Sequence, residues 1–249
     1  MTVNLAIPTS ALAIGAHPDD IEFGGGATLA KWAKAGCRVH HLVLTDGSKG
    51  SWDPDEDLVA LVAARAAESR AAAAVLDGAD AGAVDRVVFL GRVDGELVNG
   101  PSERRDVAAV IRRLRPAVVL AHDPWRRYRL HPDHRHAGFV SLDALVAARD
   151  PHFFPDLDLA PHRPEALLLF EADRPNHVED VAGFESNKIQ ALLCHASQGV
   201  STMGLDAGQA GESSPGAEAF ADKVRHQLSD HGALAALQVG EAFHLIRDL

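Results

Sequence analysis

Short apolar runs alternate with amphipathic stretches over the first two thirds of the chain, and this alternation constrains the fold more than any other feature. Apolar runs of about four to eight residues are typical of buried strands, and the stretches between them have helical periodicity. Such alternation implies right-handed crossovers and a mostly parallel sheet with helices on both faces. We therefore predict an α/β fold with strands at residues 11–16, 38–45, 86–91, 117–122 and 166–171 and helices at 25–35, 57–77, 103–115 and 134–149.

The bulk composition suits one globular unit and excludes several classes of partner. With 249 residues, of which 47% are hydrophobic, the chain can bury a sizeable core, and no linker divides it, so we predict a single domain over residues 1–249. The net charge of −11 argues against a general surface for nucleic acid or anionic membranes. Cys37 and Cys194 are too few for a disulfide framework or a thiolate metal site.

The two ends of the chain carry weaker signals. Residues 1–16 are apolar but lack a basic segment, and Pro8 interrupts them, so they do not resemble a signal peptide. No run reaches the roughly 18 apolar residues of a membrane helix, and we predict a cytoplasmic protein without a membrane span. Residues 199–217 are rich in Gly and Ser and predict a loop, and helical patterns at 216–230 and 232–239 predict a C-terminal helical segment.

Two His/Asp clusters follow two of the predicted strands. The sequence "HPDD", residues 17–20, comes directly after the first strand, and "HPDH", residues 131–134, follows the fourth strand, which ends at His122. In a doubly wound sheet of order 3-2-1-4-5, strands one and four are neighbours, and ligands bind at the carboxyl ends of the strands where the winding reverses. The two clusters are therefore predicted to meet in one crevice.

A divalent metal explains these closely spaced carboxylates better than a nucleotide does. Asp19, Asp20 and Glu22 repel one another unless a cation neutralises them, and His and Asp are suitable nitrogen and oxygen ligands. A dinucleotide site is disfavoured because G-x-G-x-x-G is absent and the carboxylates would face a pyrophosphate. Glycines 24–26 more simply let the first helix pack close to the sheet. Since neither cluster contains cysteine, the pattern favours a catalytic over a structural metal site.

Several longer segments accompany the two clusters. "AHPDDIEFGGGATLAKWAKAG" (16–36) and "HPDH" occur together with "RAAESRAAAAVL" (65–76), "DGEL" (94–97) and "KIQALLCHASQ" (188–198). This combination resembles the LmbE-like, or PIG-L, family of metal-dependent N-deacetylases. The resemblance implies a Rossmann-like fold with the metal at the carboxyl ends of the strands, and hydrolysis of an acetamide on an amino sugar.

The resemblance places the family's metal ligands on His17, Asp20 and His134 and its general base on Asp19. The chemistry of these residues agrees, because one Asp can bind the metal while its neighbour takes a proton from a bound water, whose pKa zinc lowers towards about 7. Two neutral imidazoles and one carboxylate leave the site positive enough to polarise an amide carbonyl. The expected cofactor is zinc, or another divalent metal such as iron.

His131 matches the family's second active-site histidine. As an imidazolium it is expected to stabilise the tetrahedral oxyanion and to protonate the leaving amine, with Asp133 orienting it and keeping it charged. Alternatively, Asp133 caps the helix that starts near residue 134.

Substrate contacts are expected from Arg65, Asp94 and His195. The resemblance favours Arg65 as a group that grips substrate, although an exposed ion pair with Glu68 fits the spacing as well. Asp94 resembles a residue that accepts sugar hydroxyls, and a turn aspartate has the same sequence signature. His195 is expected to line the pocket. Trp52 is expected at the rim, where it either stacks on a sugar ring or packs against the protein.

The segment before "HPDH" departs from the family pattern. In "WRRYRL", Arg126, Arg127 and Arg129 are expected to crowd the entrance, which favours an acceptor with negative charge. The predicted function is removal of an N-acetyl group from an N-acetylglucosamine-type amino sugar or its conjugate. The alternatives are an amidase of the same family that cleaves a larger acyl or thiol-conjugate amide, and a non-catalytic metal- or ligand-binding domain. The predicted partner is a small molecule, and the sequence is compatible with a homo-oligomer.

Overall fold

The strands form one mixed sheet flanked by helices. The structure, a computed structural model, describes residues 1–78, 86–205 and 214–249. Within these residues the strands are β1 (Thr2–Val3), β2 (Ser10–Gly15), β3 (Arg38–Thr45), β4 (Val87–Arg92), β5 (Val118–His122), β6 (Ala166–Phe170), β7 (His177–Asp180) and β8 (Gly240–Arg247). The helices are α1 (Asp20–Lys34), α2 (Leu58–Asp77), α3 (Pro101–Leu114), α4 (Pro132–Arg149), α5 (Glu185–Leu193) and α6 (Pro215–Ala233).

The strand order confirms the predicted topology. Across the described part of the sheet the order is β1-β7-β8-β6-β5-β2-β3-β4, and the five strands predicted from sequence lie next to one another, all parallel. The winding reverses between β2 and β5, as predicted. Beyond β6 the sheet continues with β8, which runs antiparallel to both β6 and β7.

Helices cover both faces of the sheet. Leu12 and Ile14 of β2 belong to a buried cluster with side chains of α3 and α4, whereas Ala11 and Ala13 belong to a second cluster with α1, α2 and α5. Because both faces are buried, the central strands are continuous apolar runs and not alternating ones. None of the helices in the described ranges combines the length and hydropathy that crossing a bilayer requires.

The C-terminal segment is only partly helical. Helix α6 confirms the prediction at 216–230, but the helix predicted at 232–239 is wrong, because the chain leaves helical geometry after Ala233, with Ala236 at φ 57°, and continues into β8. Residues 234–239 connect α6 to β8, whose pairing with β6 and β7 buries Ala242 and Phe243. Residues 206–213 of the predicted loop lie outside the described residues.

Helix α1 lies very close to the sheet, and its glycines make this possible. A Cβ atom at Gly24 would lie 2.5 Å from the ring of Phe170 on β6, whereas one at Gly26 would meet Lys188 Cγ at 3.3 Å and Leu76 Cδ2 at 3.7 Å. The expected packing of the helix on the sheet is therefore confirmed at Gly24 and Gly25, whereas Gly26 faces α2 and α5. Because α1 begins with the "HPDD" segment, this close approach sets how far Asp20 lies from the strand ends.

We predict that Gly24→Ala destabilises the protein by about 2 kcal/mol, because the added methyl group overpacks against an aromatic ring. Gly26→Ala is the matched control and is expected to cost clearly less, since its Cβ atom would meet Lys188 and Leu76 at 3.3 and 3.7 Å and the neighbours need to shift by only a few tenths of an ångström. Urea unfolding of both variants measures the difference. Equal stability of the two variants would contradict the close-packing explanation.

Candidate functional site

The two His/Asp clusters meet at the carboxyl ends of β2 and β5, as the strand order predicted. Residues 17–20 form the turn from β2 into α1, and residues 131–134 form the start of α4. They contribute to a cavity of about 360 Å³. Other parts of the lining come from the loop after β3, from Arg65 on α2 and from residues 198–202.

The side chains of His17, Asp20 and His134 converge at the base of this cavity. His17 Nδ1 lies 3.1 Å from His134 Nε2 and 3.3 Å from Asp20 Oδ2, and His134 Nε2 lies 3.2 Å from Asp20 Oδ1. A tetrahedral Zn²⁺ with bonds of about 2.0–2.1 Å holds its ligands roughly 3.3 Å apart. The predicted triad is therefore brought together, with a spacing that fits one divalent ion.

Donor atoms among the described residues form three overlapping groups, and the ligand atoms within each lie within 4.8 Å of one another. The groups are His17, His131 and His134; Asp20, His122 and His134; and His17, Asp94 and Asp133. His122 is 2% exposed, so an ion bound beside it would have little access to substrate. The Nδ1 atom of His131 accepts a hydrogen bond from the backbone N–H of Asp133 and caps α4. The predicted triad lines the cavity with all three residues, at distances of 3.1–3.3 Å between their donor atoms.

Two buried carboxylates orient the ring of His17. Its Nε2 atom lies 3.2 Å from Asp133 Oδ2 and 3.2 Å from Asp94 Oδ1, which leaves Nδ1 facing Asp20 and His134. A carboxylate on the second nitrogen fixes the tautomer and strengthens the ring as a metal ligand. Although burial lowers the pKa of His17, hydrogen bonds to Asp133, Asp20 and Asp94 outweigh it and raise this pKa well above its usual value.

The position of Asp133 corrects the sequence interpretation. Its carboxylate is fully buried and accepts hydrogen bonds from the backbone N–H groups of Gly95 and Leu97, at 2.7 and 3.3 Å. It contacts the ring of His17, whereas the sequence predicted contact with the ring of His131. The predicted helix cap is wrong as well, since His131 caps α4. Asp133 is the second residue of α4, and its side chain reaches the loop after β4.

Asp20 has the surroundings of an ionised ligand. Its Oδ2 atom accepts a hydrogen bond from the backbone N–H of His17 at 2.7 Å and lies 3.2 Å from His122 Nε2. Burial raises the pKa of this carboxyl, but His134 and His122 lower it further, and the pKa is held well below its usual value. Asp20 is therefore charged at neutral pH.

Asp19 differs from Asp20 in its charged neighbour and in the direction of its pKa shift. It adopts a left-handed backbone conformation (φ 110°), and its carboxylate lies 3.6 Å from the guanidinium of Arg65. Burial raises the pKa of Asp19 to about 6, even though Arg65 lowers it. Two adjacent carboxyls thus have pKa values pushed in opposite directions, which is typical of a ligand next to a base.

The surroundings of His131 favour the neutral form of its ring. Burial and the nearby His17 and His134 lower its pKa, which disagrees with the imidazolium expected from the sequence. Because Nδ1 accepts the hydrogen bond from the backbone N–H of Asp133, the proton of the neutral ring is on Nε2. His131 therefore presents a neutral N–H donor.

Comparison with known proteins agrees with this geometry. Residues 12–145 match the model of the GlcNAc-PI de-N-acetylase (PIG-L) family. The diacetylchitobiose deacetylase of Thermococcus kodakarensis is 36% identical over 190 residues, which are 75% of this chain and 69% of that protein. The chain belongs to the PIG-L family.

Two further matches are a second deacetylase sequence and a solved structure. A 1D-myo-inositol 2-acetamido-2-deoxy-alpha-D-glucopyranoside deacetylase of Geodermatophilus obscurus is 32% identical over 173 residues, and the match covers 59% of this chain and 56% of that protein. The structure of an N,N'-diacetylchitobiose deacetylase from Pyrococcus horikoshii superimposes with a TM-score of 0.82 at 27% identity, covering 96% of this chain and 84% of the other.

Sequence reasoning missed His122 and Glu171 in this PIG-L protein. The ring of His122 stacks on that of His134, with centroids 4.6 Å apart and an interplanar angle of 11°. Glu171 lies 3.7 Å from His122 Nδ1 and 3.1 Å from the guanidinium of Arg129. Each stands at or just after the carboxyl end of a predicted strand, and that position is the signal that identifies them.

Two predicted substrate contacts are placed differently from what was expected. His195 is fully buried, with Nε2 3.4 Å from Glu22, so the prediction that it lines the cavity is wrong; Gln198 lines it instead. The alternative of an exposed ion pair between Arg65 and Glu68 is also wrong. Arg65 is 3% exposed and lines the cavity, as does Asp94, while Glu68 accepts hydrogen bonds from Ser197.

The arginines before "HPDH" bind the protein itself. Arg126 donates to the carbonyl of Ala172, and Arg127 donates to the carboxylate of Asp173. Of the three arginines only Arg129 lines the cavity, and its Nε donates to His134 Nδ1 at 2.6 Å. The expected crowding of arginines at the entrance is therefore wrong, because the residues after β6 supply acceptors for them.

We predict that Asp133→Asn weakens binding of a divalent ion about 10- to 100-fold, because His17 loses the charged partner that orients its ring. Competition with a chromophoric chelator measures the affinity. The matched control is Asp143→Asn, on the exposed side of the same helix, which should leave the affinity unchanged. Wild-type affinity in Asp133→Asn would show that this carboxylate does not support a metal ligand.

Proposed function

We propose that this protein is a metal-dependent N-deacetylase that hydrolyses the acetamide of an N-acetylated amino sugar or its conjugate. The observation that carries the proposal is the convergence of His17, Asp20 and His134 beside Asp19, a second carboxyl with a raised pKa, in one cavity. A binding domain without activity needs the first three residues but not the fourth.

The donor set supports a divalent metal, and we infer that it is zinc. His17 Nδ1, His134 Nε2 and an oxygen of Asp20 would hold the ion, with Asp133 and His122 supporting these ligands from behind. A divalent ion in such a site polarises the substrate carbonyl and lowers the pKa of a bound water. Side chains of the protein would carry out proton transfer, oxyanion stabilisation and substrate binding.

Asp19 is proposed as the general base. Its carboxylate lines the cavity beside the three ligands, and a pKa of about 6 leaves it mostly ionised at pH 7 while basic enough to accept a proton from water. The same carboxyl then carries the proton to the nitrogen of the leaving amine. Arg65, 3.6 Å away, keeps Asp19 from becoming too basic to be ionised.

His131 is proposed to stabilise the oxyanion through a hydrogen bond. Its Nε2–H group is free of the helix cap, and the ring is 43% exposed at the cavity wall. A preoriented donor at the position where negative charge develops lowers the barrier more than one that has to be ordered. A neutral ring performs this role without the imidazolium that the sequence suggested.

Substrate binding is proposed to involve Arg65, Asp94 and Trp52. Two nitrogens of Arg65 donate to the carbonyls of Gly47 and Pro18, which holds the guanidinium at the cavity wall beside Asp19 as a fixed positive charge. Asp94 lines the cavity as an acceptor. Trp52 is 76% exposed on the wall, which favours stacking on a sugar ring over packing.

The proposal extends to the setting of the enzyme. The substrate is a small molecule taken from the cytoplasm, and the chain acts as a single deacetylase unit over residues 1–249. The loop arginines no longer favour an anionic acceptor, because Arg126 and Arg127 are bound to the residues after β6.

Acetate release from a panel of substrates tests the proposal. The panel contains N-acetylglucosamine, diacetylchitobiose, an N-acetylglucosaminyl inositol, and matched amides with longer acyl groups. We expect acetate and a free amine from at least one amino sugar, abolished by a chelator and restored by zinc. Faster cleavage of the longer acyl groups would favour the amidase alternative, and no cleavage by the zinc-loaded protein would contradict the proposal.

We predict that Asp19→Asn keeps its metal but lowers kcat roughly 10²–10⁴-fold, the usual contribution of a general base. Metal analysis and steady-state kinetics separate these two effects. Asp53→Asn, an exposed aspartate in the loop before α2, is the control and should behave as wild type. Near-normal turnover of Asp19→Asn would place the base elsewhere.

A further inference from the structure

We propose that Lys188 and Glu241 are positioning residues of the candidate site, because they join the two halves of α1 across a break and so fix the half that carries Asp20. The inference rests on the proposed function only in taking Asp20 as a metal ligand. Both residues lie outside the segment 12–145 that matches the family model.

Helix α1 is interrupted at Gly25, whose backbone (φ −152°, ψ 21°) leaves helical geometry. The short piece before the break contains Asp20 and Phe23, and both side chains line the cavity. A Cβ atom at residue 25 would lie 3.0 Å from Leu120 on β5, so the break lies directly against the sheet. A helical piece of about one turn has no stability of its own, so the position of Asp20 depends on what holds this piece.

A buried ion pair bridges the break. Lys188 Nζ donates to the carbonyl of Phe23 at 2.7 Å and to Glu241 Oε1 at 2.6 Å. The Glu241 carboxylate accepts hydrogen bonds from the backbone N–H of Ala27 at 3.1 Å and of Thr28 at 2.7 Å. In an unbroken helix the N–H of Ala27 would donate to the carbonyl of Phe23. The two side chains therefore link the groups that this hydrogen bond would join.

The charges of the pair match the two helix ends they contact. The ammonium of Lys188 contacts the Phe23 carbonyl near the end of the first piece, and the carboxylate of Glu241 contacts the amides of Ala27 and Thr28 at the start of the second. A cation is favourable at the C-terminal end of a helix and an anion at the N-terminal end. Lys188 is 2% exposed and Glu241 is 1% exposed. Removing either partner leaves the other as a buried, uncompensated charge, so the bridge fails as a unit.

The bridge also explains what the C-terminal strand contributes. Lys188 is on α5, and Glu241 is the second residue of β8, the strand inserted between β6 and β7. Two elements from the last quarter of the chain thus hold a helix that begins at residue 20.

The same helix offers a matched control beyond the break. Lys31, in the last turn of α1, pairs with the buried carboxylate of Glu179 on β7. Glu179 and Glu241 are register partners on neighbouring strands. The two ion pairs resemble each other in chemistry and in their buried carboxylate, although the Lys31 side chain is 16% exposed and that of Lys188 is 3% exposed. Of the two, the pair at the break contacts the piece that carries Asp20.

Zinc affinity of the full-length, metal-stripped protein tests the proposal without substrate. We expect Lys188→Met and Glu241→Gln to bind zinc about tenfold more weakly in chelator competition, similar to the loss of a residue that orients a ligand. Lys31→Met should bind zinc as wild type does, with urea unfolding showing that its stability loss is comparable. Equal losses in all three variants, or wild-type affinity in the first two, would overturn the proposal.

Two further measurements keep the test decisive. If single variants do not fold, the double variant Lys188→Met, Glu241→Met removes both charges together and should fold, with zinc binding still weakened; wild-type affinity there overturns the proposal. Amide hydrogen exchange in the absence of zinc should quicken at Ala27 and Thr28 in Glu241→Gln but not in Lys31→Met. Unchanged exchange at these amides overturns the bridge itself, whereas a zinc-binding protein without deacetylase activity would overturn only the proposed function.

Discussion

Three buried carboxylates surround the ring of His17, and the arrangement of the site depends on how the repulsion between them is compensated. The carboxylates of Asp20, Asp94 and Asp133 are all buried, and each lies within 3.3 Å of a nitrogen of His17. Carboxylates this close repel each other in a medium of low dielectric, so the fold has to supply positive or hydrogen-bonding partners. It does so with imidazoles and with the backbone N–H groups of the loop after β4, and the proposed divalent ion would complete the compensation.

The sheet topology brings these groups together from distant parts of the chain. Since β2 and β5 are parallel neighbours, the turn into α1 and the start of α4 leave the sheet at the same edge, and β4 delivers its loop from the same side. The extension of the sheet through β8 has a second consequence, because it places Glu241 under the break in α1. The half of that helix that carries Asp20 packs on the sheet at Gly24, and Lys188 of α5 links its Phe23 carbonyl to Glu241 on β8.

Local sequence pattern was sufficient for much of this arrangement. Apolar runs located the five parallel strands, and the switch point followed from their order, so the meeting of residues 17–20 with residues 131–134 was predictable. Contacts between specific side chains were not, because periodicity carries no information on long-range pairing. Asp133 was therefore assigned to the wrong histidine, and His122 was read as strand. The strand β8 was missed because its pairing with β6 and β7, and not its local sequence, decides its conformation.

Anomalous diffraction from crystals of the zinc-loaded protein, recorded on both sides of the zinc absorption edge, tests the central claim most directly. We predict one peak in the cavity, about 2.0–2.2 Å from His17 Nδ1, His134 Nε2 and an oxygen of Asp20. A peak coordinated by His122 or by Asp133 in place of these atoms, or no peak in the cavity at full zinc loading, would contradict it.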